Sequence, residues 1–256
     1  MRNILALVGK EMRLYFVSPV AYIVAMVFLL VTDYLFYSQI VYFSNLSTQM
    51  MQFQQNLPQL NIHIVVFWPA FMNMGVILLL LVPLLTMRLV AEEKKGRTLE
   101  FLLTSPVTIT EIVLSKFLAA FGLYLLLLAL TLHVPLVLST LTTISIEPLL
   151  TSYLGLMLMG GVFIAFGLFA STLTENQIIA AVLSFGILIG LWLINPGSEE
   201  AASTPWGSVL NFLSLIPHLD NMLKGLLDTR DLSYFLSMML LGFFLSHRVL
   251  ESSRWK

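Results

Sequence analysis

Two ionisable side chains interrupt apolar stretches that are long enough to cross a bilayer. Asp33 lies in the first of these stretches and His133 in the third. Because a charged group is costly inside a membrane, both residues are candidates for handling a proton, an ion or a substrate. The simpler interpretations are that Asp33 faces a neighbouring helix or the wet outer interface, and that His133 makes a hydrogen bond between packed helices.

The common catalytic motifs do not occur in the sequence. It contains no Gly-x-x-x-x-Gly-Lys-Ser/Thr loop for phosphates, no His-Glu-x-x-His zinc pair and no Gly-x-Ser-x-Gly nucleophile turn. It has no cysteine, which excludes disulfides and thiolate metal sites. A membrane-embedded lipid-modifying enzyme would need polar residues gathered near one membrane face. Asp33, His63 and His218 are the candidates for such a cluster, although their spacing does not require them to meet.

The composition predicts a protein that is largely covered by lipid. The chain is 58% hydrophobic and 11% charged, whereas soluble domains carry about 25% charged residues. A net charge of −1 gives no field that would attract nucleic acid. We therefore expect membrane lipids, and no nucleic acid, among its partners.

Six apolar stretches predict an all-α, polytopic membrane protein with six transmembrane helices. A single membrane domain over residues 1–256 is expected, because neither an internal repeat nor a soluble domain is visible. The expected spans are residues 20–43, 64–85, 112–139, 149–171, a fifth that ends at about 194, and 232–245, which Val249 and Leu250 extend.

The basic residues predict the orientation of these spans. Eleven of the thirteen Lys and Arg residues fall within 1–13, 88–116 and 248–256. Positive charge accumulates in cytoplasmic loops. These segments, and with them both termini, are therefore expected in the cytoplasm.

Three segments outside the spans have their own patterns. Residues 1–17 form a basic amphipathic helix, with Ile4, Val8, Met12, Tyr15 and Phe16 in one stripe, which predicts an interfacial position. Residues 44–61 are expected to be a polar outer loop. Residues 198–231 form an outer segment that is too interrupted to span, which predicts a re-entrant or interfacial helical hairpin.

Local motifs mark helix ends and close contacts. The series Thr108-Ile-Thr-Glu111 and Thr174-Glu-Asn-Gln177 both match a capping box. Gly186 and Gly190 in the fifth span form a Gly-x-x-x-Gly pair, which allows helix backbones to approach closely. Packing within the bundle is the simplest interpretation of this pair, and a dimer seam or a moving interface is the alternative.

The densest charge lies in residues 88–107. Two glutamates, two lysines and Gly96 precede a short stretch with an apolar edge at Leu99, Leu102 and Leu103, and Pro106 ends that stretch. This pattern favours an amphipathic helix that docks into a groove of a partner. An ordinary solvated loop is the alternative.

The run Glu-Glu-x-x-Gly-x-Thr-Leu-Glu-x-Leu-Leu-Thr-x-Pro-Val, residues 92–107, resembles the first cytoplasmic loop of type-2 ABC exporter permeases. The motif at Tyr15 to Tyr22 and that at Lys224 to Phe235 resemble a gliding-motility-type subgroup, whose relatives serve in maturation of nitrous oxide reductase. That family usually places glycine directly before the threonine. Here Arg97 occupies that place, and Gly96 lies one residue earlier.

The resemblance implies a permease of an exporter in a bacterial inner membrane, with MgATP held by a partner and no cofactor bound to this chain. Two ABC ATPase subunits, a second permease chain (identical or different) and an auxiliary protein with a periplasmic domain are the implied partners. The pathway would run between two permeases, lined by the second and fifth spans and capped by residues 198–231. ATPase coupling would fall on Glu92, Glu93, Gly96, Thr98 and Glu100, with a smaller contact at Thr174, Glu175 and Asn176.

Two other functions remain open besides the enzyme. One is a scaffold that transmits ATP-driven shape change to the outer face without transport. The other is a secondary transporter, which ordinarily shows repeats and paired intramembrane charges. The sequence reveals neither of those features.

Overall fold

The computed structural model describes residues 2–52, 61–104, 107–194 and 204–253. Regular structure in these ranges is helical throughout. The helices are α1 Arg2–Val17, α2 Pro19–Gln52, α3 Trp68–Thr86, α4 Ala91–Lys95, α5 Thr98–Thr104, α6 Ile109–Leu130, α7 His133–Ser139, α8 Ile146–Leu173, α9 Gln177–Leu193, α10 Pro205–Leu213, α11 Leu215–Leu223 and α12 Thr229–Ser253, and a π-helical turn, His63–Phe67, leads into α3.

Within the described ranges, five helical stretches are long and apolar enough to cross a membrane. They are Pro19–Met50, His63–Lys95, Ile109–Ser139, Ile146–Leu173 and Thr229–Ser253. The remaining predicted span, the fifth, corresponds to α9, which is apolar but has 17 residues up to Leu193. Such a helix is about 25 Å long, somewhat short of a hydrocarbon core of about 30 Å. The predicted break at Asn195 to Gly197 lies outside the described residues.

Helix α8 is the centre of the bundle, with 17 of its 28 residues buried. Its glycines let neighbouring helices approach closely. A Cβ at Gly160 would lie 2.2 Å from the Tyr124 ring of α6, and one at Gly167 would lie 2.2 Å from Oγ1 of Thr86 in α3. The fourth span therefore packs tightly through its small residues.

One predicted boundary is wrong. Helix α2 does not end at Phe43 but continues to Gln52, because the polar residues that follow include no glycine or proline and Thr48 donates a hydrogen bond to the Ser44 carbonyl at 2.9 Å. The rest of the expected outer loop, residues 53–60, lies outside the described ranges. The sixth span, with its extension to Leu250, lies within α12, which is continuous from Thr229 to Ser253.

The third span is interrupted rather than continuous. Helix α6 ends at Leu130 and α7 begins at His133. At the break, the Leu128 carbonyl accepts hydrogen bonds from both the N–H and the hydroxyl of Thr131, at 3.2 and 2.7 Å. The break therefore leaves few backbone groups without a hydrogen-bond partner.

Of the two predicted capping boxes, only the first forms. Thr108 caps α6 and exchanges hydrogen bonds with Glu111. The second is wrong, because Asn176 is the N-cap of α9 and accepts from the Ile178 N–H at 2.9 Å. Thr174 instead accepts a hydrogen bond from the Asn176 N–H at 3.1 Å. In the outer segment, α10 and α11 meet at Ser214, in agreement with two short helices; residues 198–203 lie outside the described part.

Candidate functional site at the charged end of the bundle

A buried lysine joins three separate parts of the chain. Lys116 of α6 is only 2% exposed. Its Nζ lies 3.1 Å from Oε1 of Glu11 in α1 and 2.8 Å from Oε2 of Glu93 in α4. A buried charge is tolerated when it is paired. The pairing therefore fixes α4 against both α1 and α6.

Lys10 extends this cluster towards the surface. Its Nζ lies 3.2 Å from Oε1 of Glu93 and 3.7 Å from Oε1 of Glu11, and its side chain is 48% exposed. Partial burial alone would lower the pKa of Lys10, but the carboxylates of Glu93 and Glu11 outweigh it and raise the pKa above its ordinary value. Two lysines and two glutamates thus form one ion-pair network, which we call the anchor cluster: Lys10, Glu11, Glu93 and Lys116.

A serine at the end of α8 holds the backbone that leads into α4. The buried Ser171 hydroxyl accepts hydrogen bonds from the N–H groups of Val90 and Ala91 at 3.0 and 3.1 Å, and donates to the Met87 carbonyl at 2.9 Å. One turn later, Lys94 donates to the Thr172 carbonyl at 2.6 Å. The end of the fourth span and the start of α4 therefore move together.

Tyr15 attaches α1 to the end of α3. Its hydroxyl donates to the Leu85 carbonyl at 2.9 Å, and the guanidinium of Arg88 lies 4.7 Å from its ring centre. Burial raises the pKa of Tyr15 above its ordinary value, although the nearby Arg88 opposes the shift. The anchor cluster, Tyr15 and Arg88 border a cavity of about 440 Å³.

Helices α4 and α5 present most of the predicted coupling residues on the surface. Glu92, Gly96, Thr98 and Glu100 are exposed, whereas Leu99 is buried. Phe101 is 77% exposed and adds a large apolar side chain to this surface. The side chains of Leu102 and Leu103, and Pro106, lie outside the described set. Glu93 differs from the other predicted residues, since its carboxylate is part of the anchor cluster.

Arg97 adopts a left-handed backbone conformation, with φ of 54°. This conformation costs a residue with a Cβ about 1–2 kcal/mol relative to the right-handed one. Gly96, by contrast, is in the right-handed region with φ of −80°. The turn thus needs a glycine-like conformation at the position where the resembling family has glycine.

The second predicted contact lies beside α4. Thr174, Glu175 and Asn176 follow directly on Thr172, whose carbonyl binds Lys94. Glu175 and Asn176 are exposed. The structure therefore brings the two predicted contact segments to one end of the bundle.

Asp33 and His133 lie next to each other. His133 Nε2 is 3.2 Å from Oδ1 of Asp33, and both side chains are about half exposed, at 52% and 43%. His133 Nδ1 donates to the Leu130 carbonyl at 2.7 Å, at the break between α6 and α7. Since a carbonyl only accepts, Nδ1 carries a proton in this contact. The pair links the first span to the third.

Asp33, His63 and His218 each make their own polar contact. His63 Nε2 donates to the Leu223 carbonyl at 2.8 Å. His218 Nδ1 lies 2.6 Å from Oδ1 of Asp231. Asp33, His63 and His218 thus have three different partners, and the described residues contain no group of three His, Asp or Glu that could hold a metal ion.

Gly186 and Gly190 do not pack within the bundle. Among the described residues, a Cβ built on either residue meets nothing within 4 Å. The expected packing inside this chain is therefore not seen at these two positions. The alternative, a seam with a second chain, stays a prediction.

The residues that sequence reasoning missed are Glu11, Lys116 and Ser171. None belongs to a recognisable motif, and each matters only through a partner far away in the chain. Residues 5–246 match the model of a family described as ABC-2 family transporter protein. No curated protein matches the chain.

Proposed function

Because the chain belongs to the ABC-2 family of transporter proteins, the non-catalytic membrane subunits of ABC transporters, we propose that it is an exporter permease powered by a separate ATPase. The ATPase binds and hydrolyses MgATP and docks on α4 and α5. The observation that carries this proposal is that the exposed surface of α4 and α5 is fixed to the bundle, on its buried side, by the anchor cluster.

The anchors explain how movement of α4 would reach the spans. Glu93 binds Lys116 of α6 at 2.8 Å, and Lys94 binds the end of α8 at 2.6 Å. A push on α4 is therefore delivered to the third and fourth spans through charged contacts. Glu92, Gly96, Thr98 and Glu100 touch the ATPase, while Glu93 holds the docking surface in place. Thr174, Glu175 and Asn176 make the smaller contact.

The charged end of the bundle supports a cytoplasmic orientation of that end. The anchor cluster brings residues of 1–13 and 88–116 into direct contact, so these two basic segments share one side. The positive-inside rule favours the cytoplasm for that side. We propose that both termini lie there, with α1 in the interface and six spans in a bacterial inner membrane.

The complex contains two permeases and two ATPases, with the pathway between the permeases. Helices α3 and α9 are suited to line it, since they pack together where a Cβ at Gly75 would lie 3.1 Å from the Trp192 ring. The open face of α9 at Gly186 and Gly190 lets a second chain, identical or different, approach closely. Helices α10 and α11 cap the outer end, where an auxiliary periplasmic protein has access.

The gliding-motility-type subgroup remains part of the proposal. Its motif residues have structural roles here. Tyr15 donates a hydrogen bond to the Leu85 carbonyl, Asp228 accepts one from the Arg230 N–H at 3.0 Å, and Gly225 adopts a left-handed conformation with φ of 88°. These roles give a structural reason why the motifs contain these residue types.

The test is co-purification of the chain with the ABC ATPase encoded beside it, followed by ATP hydrolysis of the complex in vesicles. Glu92→Gln with Glu100→Gln should lower hydrolysis severalfold, whereas Glu251→Gln, at a half-buried position of the same end, should not. Unchanged hydrolysis in the first variant would refute the coupling role. Hydrolysis without movement of any cargo would favour a mechanical scaffold instead of an exporter.

A further inference from the structure

The outward face of α1 carries an open notch that the coupling role does not use. A cavity of about 450 Å³ is lined by Leu5, Ala6, Gly9, Lys10, Arg13, Leu14 and Val17. A Cβ built on Gly9 meets nothing within 4 Å, so the floor of the notch is open. The opposite face of α1, with Val8, Met12 and Tyr15, packs against the core.

The ionisable residues that line this notch are cations. They are Lys10, which also pairs with Glu11 and Glu93, and Arg13, and none of the seven lining residues is acidic. Arg13 is exposed and forms no ion pair with any residue in the described ranges. The remaining wall is apolar, and its large members are solvent-exposed: Leu5 is 72%, Leu14 52% and Val17 77% exposed.

We propose that this notch binds an anionic phospholipid of the cytoplasmic leaflet. The phosphate sits over Gly9 between Lys10 and Arg13, and the acyl chains follow Leu14 and Val17 towards the first span. Arginine suits phosphate because its guanidinium donates two parallel hydrogen bonds. The proposal rests on the proposed function, which places α1 at the cytoplasmic leaflet.

The apolar wall favours a lipid over a soluble phosphate. Leu14 and Val17 lie immediately before Ser18, where the chain turns into α2. A ligand in the notch is therefore beside the helix that enters the bilayer. A soluble phosphate compound would leave these exposed apolar side chains uncovered.

Arg13 is the position to test, because Lys10 also belongs to the anchor cluster. We would measure binding to the purified full-length chain by native mass spectrometry, without any ATPase. The probes are phosphatidylglycerol and phosphatidylcholine with the same acyl chains. Wild type should prefer phosphatidylglycerol. Arg13→Gln should weaken that binding about fivefold, as expected for loss of one interfacial cation, and Gly9→Leu should weaken it by filling the notch.

Arg248→Gln is the matched control, since Arg248 is an exposed cation at the same end of the bundle and pairs with Glu251. It should bind phosphatidylglycerol as wild type does. Equal affinity for both lipids, unchanged binding in Arg13→Gln, or equal losses in Arg13→Gln and Arg248→Gln would each overturn the site. Because no ATPase is present, failure here is distinct from failure of the coupling proposal.

Discussion

The ammonium of Lys116 and the carboxylate of Glu93 lie 2.8 Å apart, in a place where Lys116 is almost fully shielded from solvent. This contact joins the third span to the helix on which the proposed ATPase docks. Glu11 shares the same ammonium at 3.1 Å and adds the amphipathic helix α1. The proposed docking surface on α4 and α5 is thus fixed to the rest of the bundle by ion pairs on its buried side.

Removal of the buried ammonium should destabilise the protein. Lys116→Met would leave two carboxylates close together with one partner lost, which typically costs about 3–5 kcal/mol for a buried pair. Thermal unfolding in detergent should show a clear drop in Tm. The double variant Lys116→Met with Glu93→Gln should recover part of the loss. Unchanged unfolding of Lys116→Met would contradict the pairing.

Loss of the Ser171 hydroxyl should loosen α4 from α8. Ser171→Ala leaves the N–H groups of Val90 and Ala91 without their acceptor, and a buried unsatisfied group costs about 1–3 kcal/mol. Hydrogen exchange should accelerate at those two amides. Ser184→Ala is the control, because the buried Ser184 hydroxyl has no hydrogen-bond partner among the described residues, and this substitution should not destabilise the protein. Equal effects of the two variants would show that the Ser171 hydroxyl does not fix α4 to α8.

Relief of backbone strain should stabilise the turn between α4 and α5. Arg97→Gly removes the Cβ from a left-handed residue and should gain about 0.5–1 kcal/mol, after the extra entropy of glycine in the unfolded chain is subtracted. Arg97→Ala keeps the Cβ and should gain nothing. Chemical unfolding of the three proteins checks this, and equal stability of the glycine and alanine variants would argue against the assigned conformation.

The glycines of α8 and α9 should respond in opposite ways. Gly167→Ala should destabilise the chain itself, because its Cβ would lie 2.2 Å from Oγ1 of Thr86. Gly186→Leu with Gly190→Leu should leave unfolding of the single chain unchanged but weaken its association with a second one. Light scattering at several detergent concentrations measures that association. Wild-type association in the leucine variant would exclude this face as the seam.

Features that depend on residues close together in the chain could be predicted from the sequence. The capping box at Thr108 and Glu111 involves residues three positions apart, so its pattern predicts the start of α6 correctly. The similar pattern at Thr174 fails because Asn176, two residues later, competes for the same role. Whether Thr174 or Asn176 becomes the N-cap of α9 depends on the direction in which the chain leaves α8.

Long-range relationships could not be predicted from the sequence. Lys116 resembles any other basic residue near the membrane until Glu11, 105 residues away, is placed beside it. Asp33 and His133 are each recognisable as unusual, yet nothing in their spacing indicates that they pair. Likewise, whether a glycine faces a neighbour or the outside depends on how the helices are arranged around α8.

The most direct test of the account is photo-crosslinking from Phe101 in native membranes. Phe101 and Phe244 are both exposed, at 77% and 55%, but only Phe101 lies on the proposed docking surface. With p-benzoylphenylalanine at position 101, we expect an adduct with a protein that carries a nucleotide-binding loop, and the same substitution at position 244 should give none. If position 101 yields no ATPase adduct in membranes where the transporter is active, the proposed docking of an ATPase on α4 and α5 is contradicted.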